Sequence, residues 1–162
     1  MPAIAVIRVR GHAKIRHQAV EAMTMLKLTR TNHCVLLPQN ATTKGMIQTV
    51  KDYVTWGEIG PEVLAKLLHQ KGEVLGGARL TDSYVKENSK FTSILSLAKA
   101  LDKGEAKVSD VKGLKPVLRL PPPIHGYEST RKNVADGGAI GYRGQAIEKL
   151  IERMLTKPAE AK

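Results

Sequence analysis

Residues 33 to 59 read His33-Cys-Val-Leu-Leu-Pro-Gln-Asn-Ala-Thr-Thr-Lys-Gly-Met-Ile-Gln-Thr-Val-Lys-Asp-Tyr-Val-Thr-Trp-Gly-Glu-Ile59. Cys34 to Leu37 form a continuous apolar run stopped by Pro38, the pattern of a short strand buried on both faces. Asn40, Thr42 and Thr43 offer helix N-caps. Met46, Ile47, Val50, Tyr53 and Val54 then recur at helical spacing. Thr55 to Ile59 return to extended character around Trp56, the only Trp of the chain. A strand, a polar turn with Lys44-Gly45, an amphipathic helix and a second strand thus follow in close succession. Their apolar sides need partners from elsewhere in the chain.

Upstream, residues 3–10 alternate. Ala5, Ile7 and Val9 point one way, and Ile4, Val6, Arg8 and Arg10 the other. Two arginines on one strand face require water or an anion, so that end of the sheet is expected to lie uncovered. Gly11 and His12 break the strand. Between Arg16 and Leu28, Ala19, Ala22, Met23 and Leu26 follow the i, i+3, i+4, i+7 pattern of a helix. Residues 1–59 therefore read strand, helix, strand, helix, strand. Two helices and three short strands pack most economically as an α+β unit, a small three-stranded sheet with both helices on one face. Short right-handed connections place the first strand near the sheet centre.

Downstream, residues 60–162 are expected to form a mostly helical extension. Gly60-Pro61-Glu62 starts a helix whose stripe is Val63, Leu64, Leu67 and Leu68, with Gly72 as its stop. Thr81-Asp82-Ser83 caps a short helix. Thr92 caps a longer one carrying Ile94, Leu97, Ala98 and Leu101, ended by Gly104. A short strand at 117–120 runs into Pro121-Pro122-Pro123. Residues 124–144 hold five Gly and few aliphatics, with Arg131, Lys132 and Arg143 spread among Tyr127, Tyr142 and His125. Without periodicity or apolar content this stretch reads as a basic loop, mobile alone and ordered by a partner. A final helix over 145–156 carries Ile147, Leu150, Ile151 and Met154 on one side.

Charge narrows the function. The 162 residues hold 26 Lys+Arg against 15 Asp+Glu, a net charge of +11. Residues 1–30 carry six basic groups and one acid; residues 112–143 carry six and two. The 31–111 stretch is balanced, with ten basic and nine acidic groups. A basic block is often only a solvated face. Two blocks set apart from the acids mark an electrostatic footprint for nucleic acid. Exposed strand aromatics, which stack single-stranded bases, are missing from the first strand, so backbone and shape recognition of folded RNA is the expected mode. No run of 18 apolar residues would span a membrane, and Met1-Pro2 opens straight into a strand with no signal-peptide pattern. The protein is therefore expected in the cytoplasm.

Enzyme chemistry finds no foothold. The histidines at 12, 17, 33, 69 and 125 lack metal-ligand spacing, and a single Cys excludes a disulfide or a Cys-based zinc site. Cys34, at the head of a buried strand, reads as inert packing rather than a nucleophile. The glycines from Gly137 to Gly144 lack the G-K-[ST] ending of a phosphate loop. No carboxylate pair lies in an apolar context suited to acid–base work. No catalytic residue, metal, cofactor or small-molecule substrate is assigned.

The motifs together resemble a known family. Ile4-Ala-Val-Ile-Arg-Val-Arg-Gly11, Asn32-His33-Cys34 with Pro38, Lys44-Gly45-Met46-Ile47 and Val50-Lys-Asp-Tyr-Val-Thr-Trp-Gly-Glu58 occur in order. Leu118-Arg119-Leu120-Pro-Pro-Pro123 and the Gly137-Gly138…Gly141 stretch follow. This series is similar to the L-thirty family of large-ribosomal-subunit proteins, in the long archaeal form. The resemblance implies a β-α-β-α-β core with ferredoxin-like character and an extension absent from the short bacterial form. It also implies a structural role in binding large-subunit rRNA beside neighbouring ribosomal proteins, in a setting close to the 5S rRNA. The candidate RNA contacts are Arg8, Arg10, His12, Lys14, Arg16, Lys44, Lys115, Arg119, Arg131, Lys132, Tyr142 and Arg143, with Arg8 and Arg10 expected to dominate. Two alternatives share parts of the pattern: a free RNA-binding or assembly factor, and a small α/β-sandwich enzyme acting on acyl phosphates, for which Arg10-Gly11-His12 is a faint match.

Overall fold

The computed structural model describes residues 3–155. β1 (Ile4–Arg8), α1 (His17–Met25), β2 (His33–Leu37), α2 (Ala41–Val50) and β3 (Val54–Glu58) appear in the expected order. β1 lies between β2 and β3 and is antiparallel to both, with Ile7 opposite Cys34 and Val6 opposite Trp56. The alternation in β1 sorts as read: Ala5 and Ile7 enter one apolar cluster, Ile4 and Val6 the other. Tyr53, read as part of the second helix, lies in the turn before β3.

The sheet is wider than the three strands expected. β4 (Val117–Arg119), β5 (Ser129–Asn133) and β6 (Gly138–Tyr142) extend it to the order β4-β2-β1-β3-β6-β5. β4 joins β2 antiparallel, and β6 runs parallel to β3. A three-stranded sheet would leave the outer edges of β2 and β3 with unpaired N–H and C=O groups, and the later strands satisfy them.

The sheet face expected to be open is covered. α1 and α2 pack on Ile4, Val6, Val35 and Val54. On the opposite face, α3 (Pro61–Lys71), α4 (Asp82–Asn88), α5 (Ile94–Lys103) and α6 (Ala146–Leu155) pack on Ala5, Ile7, Cys34 and Leu36. The helices of the middle therefore form the second layer of the core. Their stripes meet one another as well as that face of the sheet, with α3 packed against both α5 and α6. Their ends follow local chemistry. Pro61 opens α3 with Glu62 in its first turn, and the Thr81 side chain accepts from the Tyr84 amide at α4. Ser93 and Ser96 form a capping box at α5, one residue beyond the expected Thr92. Gly104 closes α5 in the left-handed region at φ 76°.

α1 ends without a glycine, on Lys27 at φ 61°. The Lys27 amide donates to Thr24 O at 3.0 Å and the Leu28 amide to Met23 O at 2.8 Å, a Schellman-type close where glycine is the usual residue. A side chain in that conformation carries a steric cost that glycine avoids. Lys27→Gly is expected to raise stability by about 0.5–1 kcal/mol, after the greater unfolded-state entropy of glycine is offset. Denaturant unfolding checks this; a loss of stability would show that the Lys27 side chain holds contacts outweighing the relief.

Residues 124–144, expected as a structureless loop, hold β5, a 3-10 turn at Val134–Asp136 and β6. The apolar content is as low as read, but polar latches hold the stretch. Arg153 on α6 donates to the Ile124 and Gly126 carbonyls and pairs with Glu128 at 3.5 Å. Arg143 pairs with Glu128 at 3.0 Å and donates to Thr55 Oγ1 at 3.1 Å. Tyr127 donates to Asn32 Oδ1 at 2.6 Å. The expected terminal helix is α6, and position 156 lies outside the described residues.

Candidate nucleic-acid interface

The C-terminal end of β1 gathers the cations. Ile7 pairs with Cys34, so Arg8 stands beside His33, and His33 is paired with Arg119 on β4. Arg8, His33 and Arg119 thus form one row across three strands. The loop after β1 brings Arg10, His12, Lys14 and Arg16 to this end, and the α1–β2 turn adds Lys27 and Arg30. Backbone bonds lock the corner. The Asn32 amide donates to Arg8 O at 2.7 Å, and the Leu120 amide to Asn32 O at 3.2 Å. Two clefts open here. One, about 270 Å³, is lined by Lys27, Thr29, His33, Lys115, Val117 and Arg119. The other, about 220 Å³, lies between the Val9–Ala13 loop and Thr130-Arg131 of β5.

Arg8 itself does not face solvent. It is 1% exposed, donating Nη1 to Leu28 O at 2.7 Å and Nε to Arg10 O at 2.9 Å. The expectation that Arg8 meets phosphate fails because α1 and its following turn close over that strand face. Its guanidinium instead ties the α1–β2 turn to the end of β1, and burial lowers its pKa. Arg10 is partly exposed, stacked 5.4 Å from the Tyr53 ring centroid and bonded to Asp52 O. It keeps its charge available while its fork is pre-positioned. His12 Nε2 lies 2.8 Å from Thr29 O, joining the two loops.

Other expected contacts separate into two kinds. Lys14, Arg16, Arg119, Arg131 and Lys132 are exposed, and among the described residues none forms an ion pair. Lys115 is partly committed, 3.4 Å from Glu73. Arg143 is a structural group: its side chain is 10% exposed and spent on Glu128, Thr55 and Ala139 O. Lys44 and Tyr142 lie elsewhere, beside Trp56. Arg30 and Lys27 were absent from the expected contacts. Their only sequence signal was membership of the first basic block, and the fold alone sets them beside Arg119.

This concentration of positive charge acts on His33. Burial first, then Arg119, Arg30 and Arg8, hold its pKa below the ordinary value. A histidine held neutral in this way stabilises the fold fully above its unfolded pKa of about 6.5 and loses that contribution as pH falls through the lower folded value. Stability should therefore begin to drop as pH falls below about 6.5, and His33→Gln should flatten the drop. Urea melts across that range check it; an unchanged slope in the variant would remove His33 as the cause. An arriving phosphate reverses the bias, since an anion favours the imidazolium.

No group of His, Cys, Asp and Glu among the described residues comes together as a metal site. Cys34 is fully buried and its thiol is pushed up to about 12, so it is packing rather than a nucleophile. No helix among the described residues is long and apolar enough to cross a membrane.

Comparison with known proteins shows the family. The family model described as Ribosomal protein L30p/L7e matches residues 4–54, the span from β1 to the start of β3. A protein of Methanosphaera stadtmanae named large ribosomal subunit protein uL30 is 42% identical over 151 residues, covering 93% of this chain and 99% of that one. The proteins of the same name from Methanobrevibacter smithii and Methanopyrus kandleri are each 45% identical. They cover 93% and 90% of this chain, and 98% and 99% of their own lengths. The likeness thus extends through β4, β5, β6 and α6, beyond the span of the family model. By this near full-length identity, the chain belongs to the ribosomal protein L30p/L7e family.

Proposed function

We propose that this protein is a structural constituent of the large ribosomal subunit, binding and stabilising rRNA through the cationic end of its sheet. The observation that carries the reading is the gathering of unpaired arginines around His33. Arg143 and Arg153 are paired with Glu128, and Lys115 and Arg79 with Glu73. Arg30 and Arg119 converge on His33, and among the described residues neither forms an ion pair with a carboxylate. Such crowding costs free energy in the isolated protein, and a phosphate backbone relieves it. The relatives' printed name, large ribosomal subunit protein, supports the same assignment. The helical layer behind the sheet leaves further surface for neighbouring ribosomal proteins, and the 5S rRNA is the finer candidate among RNA partners.

Sedimentation of the tagged protein through a high-salt gradient tests the role. Co-migration with large subunits is the expected result, and release to the top of the gradient would identify a free assembly factor instead. Chemical footprinting of the bound rRNAs, with 5S rRNA probed separately, then settles which RNA is protected.

A further inference from the structure

Two of the expected RNA contacts, Lys44 and Tyr142, lie far from the cationic end. Both line a cavity of about 330 Å³ at the other end of β1, with Ile4, Gln39, Gln48 and Trp56 around it. Parallel pairing of β3 with β6 sets Trp56 opposite Tyr142 and so puts both rings on one face. Their centroids are 6.4 Å apart and their planes tilted by 48°, forming an angled aromatic corner. Tyr142 is 56% exposed, yet it is held in place by its hydroxyl, which donates to the Glu58 carboxylate at 2.8 Å. A large aromatic face held open to water is an unused stacking surface.

We infer that the Trp56–Tyr142 corner receives an unpaired nucleobase of the bound RNA. This rests on the rRNA-binding reading above and adds a second contact of different chemistry. Charge selects the base over the phosphate here. Lys44 and Glu58 balance here, whereas Lys27, Arg30 and Arg119 gather at the opposite end of the sheet. A neutral, flat ligand with hydrogen-bonding edges fits such a site. The rings provide its stacking surface, and the Gln39 and Gln48 amides each offer a donor and an acceptor to a base edge. The volume suits a group of that size. Lys44, on the first turns of α2, is placed to hold the phosphate that follows the base.

Trp56 is the only Trp of the chain, so its emission reports on the corner directly. The full-length protein is titrated with a short single-stranded RNA, an abasic strand of equal length and a fully paired duplex. Filter binding is measured in parallel. Quenching by the single strand alone is expected, while the duplex binds without changing emission. Tyr142→Ala should weaken the quenching titration roughly five- to hundred-fold, the range for loss of one base stack. Tyr142→Phe, which keeps the ring and drops the Glu58 bond, should weaken it much less and guards against a misfolded alanine variant. Filter-bound single strand with unchanged Trp56 emission would overturn the nucleobase site and leave the rRNA reading standing. Equal quenching by the abasic strand would also overturn it, since the corner would then be reading the backbone. Retention of none of the RNAs would overturn both.

Discussion

Gly57→Ala should destabilise the protein by about 3 kcal/mol, while Gly45→Ala should stabilise it by about 0.5–1 kcal/mol. The two substitutions add the same methyl group. Gly57 sits on β3, where a Cβ would run into the carbonyl oxygen of Gly144, with the Gly144 amide nitrogen at 3.1 Å. The obstacle is backbone, so no rotamer change relieves it. Either β3 or the turn before α6 must move, and that turn also carries Arg143 with its bonds to Thr55 and Glu128. Gly45 is exposed in the interior of α2 with nothing within 4 Å of its would-be Cβ. Alanine there simply removes unfolded-state entropy and improves helix propensity. For a chain of this size, a 3 kcal/mol loss lowers Tm by roughly 6–12 °C. Calorimetry of both variants reads the difference. Equal Tm values would mean that β3 and the 144 turn are not in close contact, and the place of β6 in the sheet would fall with them.

Replacing Arg30 and Arg119 together with Ala should weaken binding to large-subunit rRNA at least tenfold and lower the log–log salt slope by roughly 1.4–1.8. Each arginine neutralises one phosphate in this account, and each released counterion contributes its share to the slope. Folding should survive, because both side chains work outside the two apolar clusters. Their removal also eases the depression of the His33 pKa, so the acid-side loss of stability should shrink in the same variant. Lys99→Ala with Lys103→Ala is the comparison on α5, and should change affinity by less than twofold. Arg8→Ala belongs to neither set. It leaves the Leu28 and Arg10 carbonyls without their donor and reports on the fold rather than on RNA. Filter binding from about 50 to 200 mM salt, with circular dichroism as the folding control, decides the matter. An unchanged slope in the Arg30/Arg119 variant would place the phosphate contacts elsewhere.

Local patterning settled what local physics controls. The strict alternation from Ile4 to Ile7 sorted β1 between two cores, and the Pro38 stop with the stripe of Ile47 and Val50 located β2 and α2. Pro61 and Gly104 marked helix ends because their backbone requirements are properties of single residues. The central place of β1 followed from short connections. The two basic blocks were visible as composition, and the motif series was enough to indicate the family.

What a side chain meets across the chain was decided only by tertiary structure. By alternation Arg8 reads as a solvent-facing cation, but α1 and its turn lie over that face, where two carbonyls accept from Nε and Nη1 and Nη2 is buried without a partner. Arg143 looked like an RNA contact in a glycine-rich stretch, but Glu128 and Thr55 claim it. Residues 124–144 looked unable to order because counting apolar groups overlooks guanidinium latches formed with residues far away in sequence. Arg30 gained its place only when the β2–β4 register brought Arg119 next to His33. Periodicity fixes which face of an element is apolar, because that depends on neighbours three or four residues away. Register between distant strands depends on how the whole core closes, and it is register that turned scattered cations into one surface.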